Sequence, residues 1–267
     1  MSDWLHISRG EMPLIVSIPH AGTRIPPEIA DDFVSPALAQ GDADLHVERL
    51  YAFAADMGAT VIRTDISRSA IDMNRDPSGA SLYPGQATTE LCPTTSFDGT
   101  ALYASGRQPG AEEIARRRAR WFAPYHHAIS DEIARLRALH PHIVLYDAHS
   151  IRSHVPRLFA GELPQFNIGT NGGTSCAALL TSAVEAACDA SGLGRVTNGR
   201  FRGGWITRHY GAPDTGVHAI QMELAMRGYL DEASPFPAPW DPARAAPLQT
   251  ILQAALAACL IFAKDHP

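Results

Sequence analysis

Four short apolar runs, each followed by a polar island, constrain this chain more than any other feature. Leu14-Ile15-Val16-Ser17-Ile18 leads into Pro19-His20-Ala21-Gly22, and Ala59-Thr60-Val61-Ile62 leads, through Arg68, to Asp72-Met73-Asn74-Arg75. Ile143-Val144-Leu145-Tyr146 leads into Asp147-Ala148-His149-Ser150, and Ala219-Ile220-Gln221-Met222 delivers Glu223. Short β-branched runs of this kind read as strands, the first as one buried on both faces. Helical patterns lie between them: 45–57, ended by Gly58; 112–139, interrupted near Pro124; 175–190, closed by Gly192; and 247–264. Strands are expected at 14–18, from Thr60, at 143–146 and at 217–223. This alternation predicts an α/β layer architecture.

Residues 76–110 are rich in Gly, Pro, Ser and Thr and carry little periodicity. Loops of that length inside compact domains usually have a functional or lid-like role. No repeat or low-complexity linker divides the 267 residues, so the expectation is one domain over 1–267 with a loop insertion at about 76–110. At 45% hydrophobic residues the chain can bury a substantial core.

A net charge of −6 gives no electrostatic reason to expect a nucleic-acid partner. The one basic cluster, Arg116-Arg117-Arg118-Ala119-Arg120, reads as a solvated helix face with flanking acids Glu112 and Glu113, a phosphate site being the alternative. Cys92, Cys176, Cys188 and Cys259 show no Cys-x-x-Cys spacing, which favours reduced thiols. The N-terminal Met1-Ser2-Asp3-Trp4 lacks the features of a signal peptide, and no uninterrupted apolar stretch reaches the roughly 18 residues of a membrane span. A soluble cytoplasmic protein without a membrane partner is expected.

Ligands in open α/β sheets bind outside the carboxyl ends of the strands, where the polar islands fall. Two imidazoles, a guanidinium and a carboxylate gathered there are what a metal-assisted hydrolase of an acidic substrate requires. His149 and His20 are candidate zinc ligands, with Asp147 a candidate orienter of His149; a strand-end His hydrogen-bonded to a loop is the alternative for each. A hydrolytic zinc site needs a third protein ligand, and Gly41-Asp42-Ala43-Asp44-Leu45-His46-Val47-Glu48 offers several. Asp44 could instead cap the following helix, and Asp42 competes with it. Glu223 in an apolar strand is costly to bury unless paired or working, so it is either half of a salt bridge or a general base. Arg75 with Asn74 suits a substrate carboxylate, Arg68 is a weaker candidate, and a surface arginine in a loop is the alternative. Ile168-Gly169-Thr170-Asn171-Gly172-Gly173-Thr174-Ser175 precedes a helix and offers amides to an anion or simply a capped turn. It is not a Walker loop, and the chain has no Gly-x-Ser-x-Gly elbow.

Taken together, Pro19-His20-Ala21-Gly22, Asp72-Met73-Asn74-Arg75, Asp147-Ala148-His149-Ser150, Asn167-Ile168-Gly169-Thr170 and Gln221-Met222-Glu223-Leu224 resemble the N-formylglutamate amidohydrolase (deformylase) family. The resemblance runs over roughly 12–230 with the motifs in family order. That family is similar to zinc-dependent exopeptidases of the carboxypeptidase type. The resemblance therefore implies a mixed, largely parallel central sheet with helices on both faces, a phosphorylase/hydrolase-like arrangement. It further implies hydrolysis of N-formyl-L-glutamate to formate and L-glutamate in histidine degradation, with another small acidic N-acyl amino acid as the alternative substrate. The implied roles are one Zn2+ on His20, Asp44 and His149, proton transfer by Glu223, and substrate binding by Asn74, Arg75, Arg68, Thr170 and Asn171. Exopeptidases commonly carry His-x-x-Glu for the first two ligands, whereas His20 is followed at that spacing by Thr23. The carboxylate ligand must then come from elsewhere, and Asp44 is the choice.

Overall fold

A computed structural model describes residues 3–265, so Met1 and Ser2 of the N-terminal segment lie outside the described residues. Its centre is a seven-stranded mixed sheet: β1 (Leu5–Ser8), β2 (Leu14–Ile18), β3 (Thr60–Thr64), β4 (Ile143–Ile151), β5 (Phe166–Gly169), β6 (Arg195–Thr197) and β7 (Val217–Ala225). The order is β1-β3-β2-β4-β7-β5-β6. The neighbours β3, β2, β4 and β7 run parallel. β1 lies antiparallel to β3, β5 lies antiparallel to β7, and β6 runs parallel to β5. The carboxyl ends of the four central strands therefore open on the same edge.

Connections between the strands supply α1 (Pro27–Ala30), α2 (Pro36–Gln40), α3 (Val47–Leu50), α4 (Ala111–Arg117), α5 (Ala123–Arg137), α6 (Ala178–Asp189) and α7 (Trp205–Tyr210), and α8 (Pro242–Asp265) follows the last strand. Successive strand residues face opposite sides, and the sequence obeys that period. Leu14, Val16, Val144, Tyr146, Ile220 and Met222 share a core with Leu50, Leu180, Val184, Leu252 and Leu256 of α3, α6 and α8. Ile15, Leu145 and Ala219 pack on the other side with Tyr125, Ile129 and Ile206 of α5 and α7. Continuing this second phase toward the strand ends gives Asp147 and His149 on β4 and Gln221 and Glu223 on β7. The polar islands thus share one face of the sheet. On the opposite face, α8 is long and apolar enough, by length and composition, to cross a membrane. It packs instead on α6 and the sheet through leucines, each worth about 1.5–3 kcal/mol of burial.

Several elements depart from expectation. β4 and β7 are each nine residues long and fully buried, so His149 lies inside its strand rather than beyond it, while β7 runs two residues past the expected end at Glu223. Their polar groups find partners across the sheet, and the ladder continues through them. The 45–57 helix is α3 followed by a 3-10 turn over Ala52–Ala54. His46 sits at φ 61° and Tyr51 at φ −100°, both outside helical space. The 112–139 helix contains a π turn at Arg118–Phe122, immediately before Pro124, which has no N–H to donate. Arg117 in the basic cluster is buried rather than solvated: it donates to Glu113 (2.7 Å), to the Ala70 carbonyl (3.0 Å) and to the Tyr103 hydroxyl (2.7 Å). α6 is shorter than expected, and α8 starts at Pro242 rather than 247 because Asp241 Oδ1 accepts from the amides of Ala243 and Arg244. The short strands β1, β5 and β6 carry too little pattern to be read from sequence. All four cysteines are free and buried.

Candidate metal centre and active site

His20 lies two residues beyond β2, in a turn that passes close to β3. A Cβ on Gly22 would stand 2.3 Å from the Asp65 carbonyl carbon, so only glycine allows that approach. The His20 carbonyl accepts the Asp44 amide at 2.9 Å, which ties the two candidate ligands together through their backbones. His149 comes from β4, paired in register with Glu223 on β7.

These elements bring His20, Asp44 and His149 into a buried group whose ligand atoms lie within 4.8 Å of one another. His149 Nδ1 is 3.1 Å and His20 Nδ1 3.8 Å from Asp44 Oδ2. The far nitrogens are held by other carboxylates: His20 Nε2 is 2.7 Å from Asp72 Oδ1, and His149 Nε2 is 3.0 Å from Asp147 Oδ2. Carboxylates behind imidazoles in this way fix the rings and leave the opposite nitrogens for a cation. His20 Nδ1 is buried and has no hydrogen-bond partner. Orphaned buried polar atoms are rare, and this one faces a carboxylate and a second imidazole, so the group could hold a metal ion. Asp44, not Asp42, occupies this position; Asp42 accepts instead from the Phe97 amide at 2.7 Å. Nor does the Asp44 side chain cap α3, which starts at Val47 without a side-chain cap.

The charges are balanced locally. Burial and the Arg68 guanidinium push the His20 imidazole down to about 4, so it is neutral at pH 7. Burial works the same way on His149, but Asp147 and Asp44 overcome it and hold that ring well above its ordinary value. Burial would raise Asp72, yet Arg75, His20 and Arg68 keep it well below the usual carboxylate range. Glu223 is the exception. Burial pushes its carboxyl up to about 8 despite the opposing pull of His149. Its Oε2 accepts from Gln221 Nε2 at 3.3 Å, and Gln221 Oε1 accepts the Gly204 amide at 2.7 Å.

His20, His149 and Glu223 line the floor of a cleft enclosing about 570 Å³ of space between atoms, open solvent included. Its walls carry Arg68, Asn74 and Arg75, with Tyr83, Thr88 and Thr89 from the 76–110 segment and Arg200 and Phe201 from the loop after β6. The family model for N-formylglutamate amidohydrolases matches residues 12–230. This chain belongs to that family. An N-formylglutamate deformylase of Pseudomonas aeruginosa is 49% identical over 237 residues, covering 88% of this chain and 89% of that protein. One from Pseudomonas putida is 42% identical over 267 residues, covering 100% and 99%. The crystal structure of N-formylglutamate amidohydrolase from Ralstonia eutropha JMP134 superposes with a TM-score of 0.80 at 21% identity, over 96% of this chain and 98% of that one. A gene product of Agrobacterium tumefaciens follows at TM-score 0.68 and 18% identity, over 98% and 94%. These two likenesses establish the shared fold.

The remaining expected residues divide between the cleft and its surroundings. Asn74 lines the cleft, but its amide is taken up by the protein: Nδ2 donates to Asp147 Oδ2 at 2.9 Å, and Oδ1 accepts the Ile206 amide at 2.7 Å. A Cβ on Gly204 would meet that amide at 2.4 Å, so glycine lets α7 start against Asn74. Arg68 bridges Asp44 (3.2 Å) and Asp72 (2.8 Å). Arg75 is steadied by Thr89, with Asp72 at 3.7 Å. Thr170 and Asn171 stand outside the cleft lining: Thr170 caps the Asn171–Gly173 turn, and Asn171 Nδ2 donates to Thr174 Oγ1 at 2.9 Å. Sequence reasoning assigned no role to Asp72, Gln221 or Arg200. Asp72 was visible within a quoted motif, whereas Arg200, in a glycine-flanked loop, had no periodic signal to mark it.

Proposed function

We propose that this chain hydrolyses N-formyl-L-glutamate to formate and L-glutamate with zinc as its resident ion. The observation that carries the reading is the orphaned His20 Nδ1, which faces Asp44 and His149 Nδ1 beside Glu223 in a member of this family. His20, Asp44 and His149 would hold the ion, which when bound supplies Lewis acidity toward the formyl carbonyl and a water nucleophile near neutral pH.

Glu223 accepts a proton from the attacking water as its oxygen bonds to the formyl carbon. The C–N bond then breaks, and Glu223 delivers that proton to the departing amine nitrogen. The carboxylate form takes the proton in the first step, and the burial that pushes this carboxyl up helps it hold the proton until the amine departs. Arg75 grips a substrate carboxylate, which fixes the formyl carbon over the reacting groups. Asn74 and Asp147 position His149, and Arg68 balances the charge of Asp44 and Asp72.

Formate release from N-formyl-L-glutamate, followed in as-purified, chelator-stripped and zinc-restored protein, tests this reading. Activity lost on stripping and recovered with zinc is the expected result. Undiminished turnover after complete zinc removal would overturn the metal assignment. Full zinc content without formate release would overturn the substrate.

A further inference from the structure

Three arginines line the cleft, and they differ in what neutralises them. Arg68 is bonded to two buried carboxylates. Arg75 has Asp72 within 4.0 Å. Arg200 has no carboxylate within 4.0 Å among the described residues. Its Nε donates to the Leu158 carbonyl at 2.7 Å and its Nη2 to the Ala87 carbonyl at 2.8 Å. Carbonyls hold the fork in place without cancelling its charge. The guanidinium also lies 5.3 Å from the Tyr83 ring centroid and 5.5 Å from that of Phe201, which restricts its plane. Among the described residues, Nη1 makes no hydrogen bond.

A half-buried, immobilised cation without a counter-ion is a costly arrangement for folding alone, and it is suited to an incoming anion. Its position strengthens this reading. Burial lowers the Arg200 pKa against the opposing pull of Tyr83, and Arg75, which lines the same cleft, lowers it further. Arg200 and Glu223 line the same cleft, which places an anion held by Arg200 on the same substrate as the reacting end.

We propose that Arg200 is the receptor for the second carboxylate of a dicarboxylic substrate, Arg75 taking the first, and that it makes the cleft selective for an acidic side chain. This rests on the proposed hydrolysis of N-formyl-L-glutamate and names the residue that separates glutamate from its neutral analogues. Arg200 holds the side-chain carboxylate bidentately or through Nη1 and takes no part in proton transfer. Its loss therefore discriminates between substrates rather than lowering all rates together.

The test compares Arg200→Gln and Arg200→Lys with the unaltered enzyme on N-formyl-L-glutamate and N-formyl-L-glutamine, which differ in charge but hardly in shape. For Arg200→Gln, kcat/KM on the glutamate substrate should fall about 100-fold, mostly through KM, while the glutamine substrate changes by less than about threefold. Arg200→Lys should recover part of the preference, which a merely structural arginine would not give. An equal loss on both substrates, or an unchanged preference, overturns the proposal. Calorimetric titration with glutarate, run on the same proteins, separates this from the substrate reading. Glutarate binding that depends on Arg200, without formate release by the unaltered enzyme, would remove the substrate and keep the anion subsite. Binding indifferent to Arg200→Gln, or no binding to the unaltered enzyme, overturns the subsite.

Discussion

The two ends of the cleft are built differently. At one end His149 and Glu223 sit inside β4 and β7, whose ladder fixes their backbones, and His20 follows β2 by two residues with its carbonyl tied to the Asp44 amide. At the other end Arg75, Tyr83, Thr89 and Arg200 belong to loops that hold one another through side chains. The Tyr83 hydroxyl donates to the Gly203 carbonyl at 3.0 Å and accepts the Arg202 amide at 3.1 Å, while Arg208 stacks on its ring. The difference teaches a division of labour. On the proposed function, the bond-breaking groups stand on the rigid sheet and the recognition groups on segments that can vary without disturbing it.

If that division holds, changes at the strand end should reach turnover and metal, and changes at the loop end should reach KM. The largest effect is expected for Glu223→Gln, which removes the proposed proton carrier but preserves its shape. Turnover should drop about 10²–10⁴-fold with zinc content unchanged. A near-normal kcat would break the strand-end assignment. Next comes Asp72→Asn, which loosens the carboxylate behind His20 Nε2. Zinc affinity should weaken about 10–100-fold, with activity recovering in excess zinc. Competition with a chromophoric chelator measures this, and an unaltered affinity would mean that Asp72 serves Arg68 alone. The smallest effect is expected for Tyr83→Phe, which deletes the two loop hydrogen bonds of its hydroxyl. KM should rise about 2- to 10-fold, with kcat and zinc affinity unmoved. A fall in kcat instead would show that the 76–110 segment shapes the reacting end too.

The same contrast explains what the sequence reveals. Leu14–Ile18 matches β2 residue for residue, because an apolar strand buried on both faces leaves a continuous run. His20, His149 and Glu223 were legible for a related reason: a polar residue after such a run interrupts a strong pattern. The true end of β4 was not legible, since Asp147 breaks the apolar run without breaking the ladder. Asp44 was chosen over Asp42 through the family resemblance, and the physical basis for it, the turn that ties the Asp44 amide to the His20 carbonyl, is a tertiary contact that the sequence does not display. Arg200 stayed hidden because its meaning lies in an absence of nearby acid. Thr170 and Asn171 invited an anion reading because a glycine-rich turn before a helix has the same composition whether it binds a ligand or only caps itself.

The most direct test of the central claim is X-ray diffraction from zinc-loaded crystals on both sides of the zinc absorption edge. The account predicts an anomalous peak about 2.0–2.2 Å from His20 Nδ1, His149 Nδ1 and an Asp44 carboxylate oxygen. A peak elsewhere, a peak ligated by Asp42, or none at full zinc loading would contradict it.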